Sequence, residues 1–237
     1  MGNHEFNAIG WATADPINDG LYLRPRHDET GEKNRCQHEA FLAEVGLDSV
    51  EHRSWVEWFQ ELPVWIEERD FRIVHACWSP RHVEVLRPLL LSGNRLGSET
   101  VEVASRKGGE VYDAIETLLK GAEIELPAGH TLIDKDGHVR SAIRTRWWDA
   151  GVKTYGDAYI GPSGVEVPDL PLPQMDRIPQ PDRPTFIGHY WLNPREAMAP
   201  LSGKVACVDY SVAKGGPLVA YRFDGEPQLS AGKFVAT

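Results

Sequence analysis

Two short apolar runs that each end in a histidine constrain the fold of this chain most strongly. "FRIVHACW" (71–78) and "TFIGHYW" (185–191) carry β-branched and aromatic residues up to His75 and His189. That composition belongs to buried strands rather than helices. Either run alone is weak, because a single histidine beside apolar residues is usually just packed against them. Two strands that each deliver an imidazole at the end ask for a sheet with functional loops at its strand ends, which is where α/β folds build sites.

Helical and strand signals alternate around these runs. In 48–62, Trp55, Trp58, Phe59 and Leu62 recur at i, i+3, i+4, i+7, the spacing of one buried helical face. Asp48 and Glu51 read as a capping box there, and Pro63 as the stop. "VWIEERDFRIVHACW" (64–78) reads as a hairpin around Glu67–Asp70 whose second strand delivers His75. Helical periodicity returns over 82–91 and 110–120, where Val111, Ile115 and Leu118 share a face and Gly121 follows as a C-cap. Asp136-Gly137, between apolar residues of 131–148, marks a hairpin turn. Residues 161–184 carry seven prolines and read as a surface connection. "KVACVDY" (204–210) and "LVAYRF" (218–223) read as strands, with "KGGP" (214–217) as a hairpin turn rather than a phosphate loop. Residues 5–34, rich in Asp, Pro, Gly and Arg, read as a long loop. The expectation is one α/β domain over 1–237 with a β-rich second half.

Composition excludes several partners. The formal charge of −10 disfavours a nucleic-acid polymer or an anionic membrane, both of which select basic surfaces. Hydrophobic residues at 41% and charged residues at 25% fit a folded soluble domain. Three scattered cysteines without a C-x-x-C fit a reducing cytoplasm. No run is long enough to span a membrane, and no signal peptide is indicated. Cys36-x-His38 lacks the second pair of ligands that zinc needs.

The first residues are dense in chemistry. Gly2-Asn3-His4-Glu5 sets an amide, an imidazole and a carboxylate side by side. G-N-H-E, a strand ending in "VHACW" and a later strand ending in "GHYW" together resemble the calcineurin-like metallophosphoesterases. That family's ordered motifs are D-x-H, G-D-x-x-D-R-G, G-N-H-[DE], V-H and G-H, and the last three are matched across residues 2–189. The resemblance looks closest to the bacterial branch of serine/threonine protein phosphatases and dinucleoside tetraphosphatases.

The resemblance implies a calcineurin-like β-sandwich flanked by helices, truncated at its N-terminus. It implies Asn3, His75 and His189 as ligands of one metal of a dinuclear site, and His4 as the imidazole that protonates the leaving oxygen. Glu5 would be a structural carboxylate behind the site. A second histidine that some relatives carry two residues after the last one is Trp191 here. Arg144-x-Arg146 resembles the phosphate-contacting stretch of the tetraphosphatase branch and suits bidentate binding; an exposed strand face is the competing reading.

The complete family site holds two divalent metals (Mn, Fe, Zn or Ni) that activate a hydroxide and clamp phosphoryl oxygens. At most one is expected here, because D-x-H and G-D-x-x-D-R-G, about 60 residues or two βα units, do not precede GNHE. Asp136-Gly137-His138 matches D-x-H literally but sits where a tight turn belongs, and "GDAYIG" (156–161) lacks the second Asp and the Arg. The implied function is hydrolysis of a phosphate monoester or phosphoanhydride, with a phosphoprotein or dinucleoside polyphosphate as substrate and little activity from this chain alone. The alternative is a non-catalytic remnant that binds at most one metal. Asn3, His4, His75 and His189 are expected to converge, and self-association is expected through surface left uncovered by the missing units.

Overall fold

The computed structural model describes residues 1–133, 139–161, 164–173 and 178–237. The chain is mixed α/β and divides into two compact units, Met1–Ile66 with Arg81–Leu119, and Glu67–Pro80 with Lys120–Thr237. No described helix is long and apolar enough to cross a membrane.

The first unit is helical: α1 (Asn3–Ala12), α2 (Asp28–Cys36), α3 (Glu39–Val45), α4 (Val50–Glu61), most of α5 (Pro80–Leu86), α6 (Ser98–Ala104) and α7 (Glu110–Lys120). Two of these overturn the reading of 5–34 as a loop. α1 escaped the periodicity test because Phe6 through Trp11 are all buried, so it has no polar face to set a rhythm. Its start is closed by Glu5, whose Oε2 accepts from Gly2 N at 2.7 Å. α4 stands where the spacing put it but is turned. Its buried residues are His52, Val56 and Phe59, whereas Trp55 and Trp58 are 41% and 51% exposed, edge to face at 5.5 Å. The aromatic stripe is wider than one face, so spacing alone did not fix which edge packs inward. The cap is also one residue later than expected: Ser49 Oγ accepts from His52 N at 2.9 Å, and Asp48 takes φ 56.

α1 packs against α4, and buried imidazoles lie in this helical core. His38 meets the Trp11 ring edge-on at 4.8 Å, and Phe41 packs on His52 at 5.7 Å. The ring nitrogens of His38 have no well-formed hydrogen bond among the described residues. Burial, then the charge of Arg24, pushes its pKa down to about 4, with His52 and Arg26 acting the same way. Burial likewise lowers His52, against a pull upward from Asp48 and with Arg26 and Arg53 adding to the lowering.

The second unit holds a sheet of order β1-β2-β7-β8, from β1 (Trp65–Glu67), β2 (Arg72–Val74), β7 (Thr185–Ile187) and β8 (Val205–Cys207). β1 spans the point where the chain passes from one unit to the other. β7 runs parallel to both β2 and β8 and is buried along its whole length, as a strand covered on both faces must be. Arg72 fixes the start of β2: its Nε donates to Glu67 at 3.0 Å, Nη1 pairs with Asp182, and the guanidinium lies over Trp78. On this sheet Phe186, Ala206 and Leu229 pack with Phe71, Tyr221, Phe223 and Phe234. Tyr221 and Phe234 come from an antiparallel pair, β9 (Val219–Tyr221) and β10 (Phe234–Ala236).

A second apolar cluster, including Ile124, Leu126, Ile143 and Leu172, forms around β3 (Glu123–Glu125), β6 (Ala142–Arg144) and the one-turn α8 (Tyr155–Ala158). β4 (Leu132–Ile133) and β5 (Val139–Arg140) pair antiparallel, while the Asp136-Gly137 turn expected between them lies outside the described residues. "KGGP" is not a hairpin turn. Val212–Lys214 form a 3-10 turn joining β8 to β9, which belong to different sheets. Gly121 ends α7 at φ 93, as its position after the periodic run requires.

Acid sensitivity follows for the first unit. Below about pH 6.5, the ordinary histidine value, the unfolded chain takes up a proton that folded His38 refuses until about pH 4. Stability therefore falls across that window, by about 3 kcal/mol at most from His38. Urea unfolding followed by helical circular dichroism at about pH 7 and about pH 4.5 should show this loss, and His38→Phe should remove most of it. An H38F chain that is as acid-sensitive as the parent would assign the effect to other groups.

Candidate functional site

Parallel pairing brings the two strand-end histidines together. Arg72 stands beside Thr185 and Ile73 beside Phe186, so β2 and β7 leave the sheet at the same edge. His75 follows Val74 directly, and Gly188-His189 follow Ile187. The pairing continues beyond the strands, with Gly188 N donating to His75 O at 2.8 Å. The rings end 5.3 Å apart, inclined at 69°.

The loop carrying His189 is bent in a way side chains resist. His189 and Trp191 adopt φ 70 and 51, the left-handed region, at a cost of about 1–3 kcal/mol each. Tyr190, between them, holds the bend. Its N donates to Gly188 O at 2.9 Å and its hydroxyl to Ala76 O at 3.1 Å. Trp147 Nε1 lies 3.1 Å from both Ala76 O and Tyr190 Oη, and Trp148 meets the Tyr190 ring edge-on at 4.8 Å. Burial pushes the Tyr190 phenol well above its ordinary pKa, so it stays a donor. Asp209 braces the far side, accepting from Trp191 N at 3.3 Å and Ser211 N at 3.1 Å.

Arg144 completes the cluster from the end of β6, which pairs with β3 so that Arg144 stands opposite Glu123. Its Nη1 lies 3.2 Å from His189 Nε2, and its Nη2 donates to Glu123 Oε1 at 3.2 Å. Its Nε is buried with no hydrogen-bond partner among the described residues. A guanidinium only donates, so this contact is a hydrogen bond in the tautomer that leaves His189 Nε2 without a proton. Arg146 is engaged elsewhere: its Nε donates to Tyr159 O at 3.3 Å, and it borders a pocket of about 220 Å³ walled by Ile124, Trp147, Val152 and Leu172.

Asn3 and His4 open α1 in the first unit, Asn3 half-buried and His4 exposed. The thiols beside the histidines are chemically quiet, with burial pushing Cys77 far up and Cys207 up to about 12. The two imidazoles would be only a partial shell for a divalent cation, and a guanidinium stands at one of their nitrogens. Metal–nitrogen bonds of about 2.0–2.1 Å bring two ligating rings to within several ångströms of each other, as these are. Among the described residues no group of three or more His, Cys, Asp or Glu side chains is arranged to hold a metal.

Glu123, Trp147 and Tyr190 were not singled out in the sequence. The only local signal is aromatic pairs beside chemistry-bearing residues, "RWW" (146–148) and "HYW" (189–191). Gly121 joins them through space, because a Cβ there would fall 2.7 Å from Tyr190 Oη. Gly121→Ala, at φ 93, should cost about 1–2 kcal/mol from the backbone alone and shift the His189 ring resonances. Thermal unfolding and a histidine NMR spectrum that both match the parent would disprove this coupling.

No family model, no curated protein and no solved structure matches the chain.

Proposed function

We propose that this chain is a calcineurin-like phosphoesterase domain acting on a phosphate monoester or phosphoanhydride, with His75 and His189 as ligands of one divalent metal. The observation that carries the reading is the pair of imidazoles at adjoining parallel strand ends, 5.3 Å apart, with the Arg144 guanidinium beside them. Imidazole nitrogen is a good donor to manganese, iron, zinc or nickel, and a fixed guanidinium matches phosphoryl oxygens. When bound, such a metal supplies Lewis-acid polarisation of the phosphoryl group and a nucleophile at neutral pH.

The chain's own residues have separable tasks in this reading. His75 and His189 present nitrogen lone pairs. Arg144 orients the phosphoryl group and Arg146 extends the basic edge. Turnover by the 237-residue chain alone is expected to be slight, because the matched motifs provide ligands for one metal only.

A non-catalytic, metal-binding domain is the second reading. The specific observation in its favour is Arg144, whose guanidinium stands 3.2 Å from a nitrogen of one of the two imidazoles.

Manganese binding followed by electron paramagnetic resonance, paired with a p-nitrophenyl phosphate assay, separates these readings. The phosphoesterase reading expects stoichiometric Mn²⁺ binding that weakens at least about tenfold in His75→Ala and in His189→Ala, since each removes a first ligand. It also expects slow turnover that both substitutions abolish. Binding without turnover favours the second reading, and no binding at all rejects both.

A further inference from the structure

We propose that the pocket beside Trp147 binds a free apolar α-amino acid as its zwitterion, with Arg146 holding the carboxylate, Asp149 and Gln180 the ammonium, and the apolar walls the side chain. The inference depends neither on a metal nor on the histidine cluster, and the pocket lies within the second unit. The cavity measures about 220 Å³. A dry apolar cavity of about 150 Å³ takes a benzene ring, so one aromatic ring with its methylene fits here. Ile124, Trp147, Val152, Ala158 and Leu172 are buried and supply the apolar walls. Arg146, Asp149 and Gln180 are exposed and bring the polar groups. Apolar walls with a few placed polar groups are the usual make-up of a small-molecule site.

The two charged groups are anchored by backbone and not by each other. Arg146 to Asp149 form one turn, closed by Asp149 N donating to Arg146 O at 3.0 Å. Arg146 Nε donates to Tyr159 O at 3.3 Å, and its two Nη groups have no hydrogen-bond partner among the described residues. Asp149 Oδ1 accepts from Gly151 N at 2.8 Å, which leaves Oδ2 open among the described residues. Gln180 Nε2 donates to Trp147 O at 2.8 Å, which leaves Oε1 as an acceptor. No ion pair joins Arg146 to Asp149 among the described residues. An apolar anion would suit the guanidinium but set its negative charge beside Asp149, and an apolar cation would do the reverse; like charges so placed cost affinity. A molecule with both charges on one carbon and an apolar side chain suits both groups. A peptide carries the two charges on different residues, so the free amino acid is the better match.

The test is isothermal titration calorimetry with L-phenylalanine on the parent chain, Arg146→Met and Asp149→Asn, with circular dichroism checking that each variant folds. Methionine keeps the apolar stem of the arginine, and asparagine keeps an acceptor for Gly151 N. Two half-ligands of the same shape complete the set: 3-phenylpropanoate, which lacks the ammonium, and phenethylamine, which lacks the carboxylate. The parent is expected to bind one L-phenylalanine per chain. Each substitution and each half-ligand is expected to weaken binding at least about tenfold, because a charge-assisted hydrogen bond is lost. Asp149→Asn should not weaken 3-phenylpropanoate, and Arg146→Met should not weaken phenethylamine, since each removes only a like charge. No saturable binding of L-phenylalanine by the folded parent at millimolar concentration overturns the proposal. A half-ligand that binds as tightly as L-phenylalanine also overturns it, as does L-phenylalanine binding that either substitution leaves unchanged.

Discussion

The hydrogen bond from Gly188 N to His75 O, 2.8 Å long, is the constraint on which the site depends. It is the continuation of the parallel ladder between β2 and β7 beyond the last paired residues. Parallel pairing sends both chains out of the sheet at one edge, and the register then decides which residues meet there. A slip of one residue would set Val74 rather than His75 beside Gly188, and would turn the histidine to the other side of the sheet. The burial of Thr185, Phe186 and Ile187 makes such a slip expensive, because it would move apolar side chains and reseat the ladder on both neighbours. Space does not explain the glycine: a Cβ at Gly188 would meet its neighbours at 3.7 and 3.8 Å, ordinary contact distances. The backbone amide is what position 188 contributes.

Ala76 O is a second fixed point. Tyr190 Oη and Trp147 Nε1 both reach it, so the residue after each histidine is tied to the other histidine's loop. This arrangement offsets the strain of left-handed φ at His189 and Trp191, which no isolated loop would hold. It also explains why a position as distant in sequence as Gly121 bears on the site. Its missing side chain leaves room for the Tyr190 hydroxyl.

What could be read from the sequence follows physical lines. Strand-end histidines were legible because buried strands and polar ends leave a local imprint. Gly121 was legible too, through its place after α7, whereas Arg144 was singled out only by the family resemblance of its stretch. α1 was not legible, since burial on all sides erases periodicity. The inward edge of α4 was not legible either, because Trp55 and Trp58 neighbour the buried stripe of His52, Val56 and Phe59. Glu123 and Tyr190 matter through partners that β3–β6 pairing and the bend after β7 bring close, and pairing between distant segments has no short-range signature. Spacing likewise gave no sign that Arg144 would face a histidine rather than open solvent.

The site joins a rigid part to a yielding one. Tyr190, Trp147 and the Gly188 amide hold the backbone through bonds that are wholly or partly removed from water, where breaking one leaves a buried polar group unpaired at about 1–3 kcal/mol. Arg144 is held by an exposed carboxylate and by one imidazole nitrogen, contacts that water and salt weaken readily. The arginine is therefore the more easily displaced part of the cluster, and the loop the more firmly held. The histidines therefore keep their separation whatever the arginine beside them does.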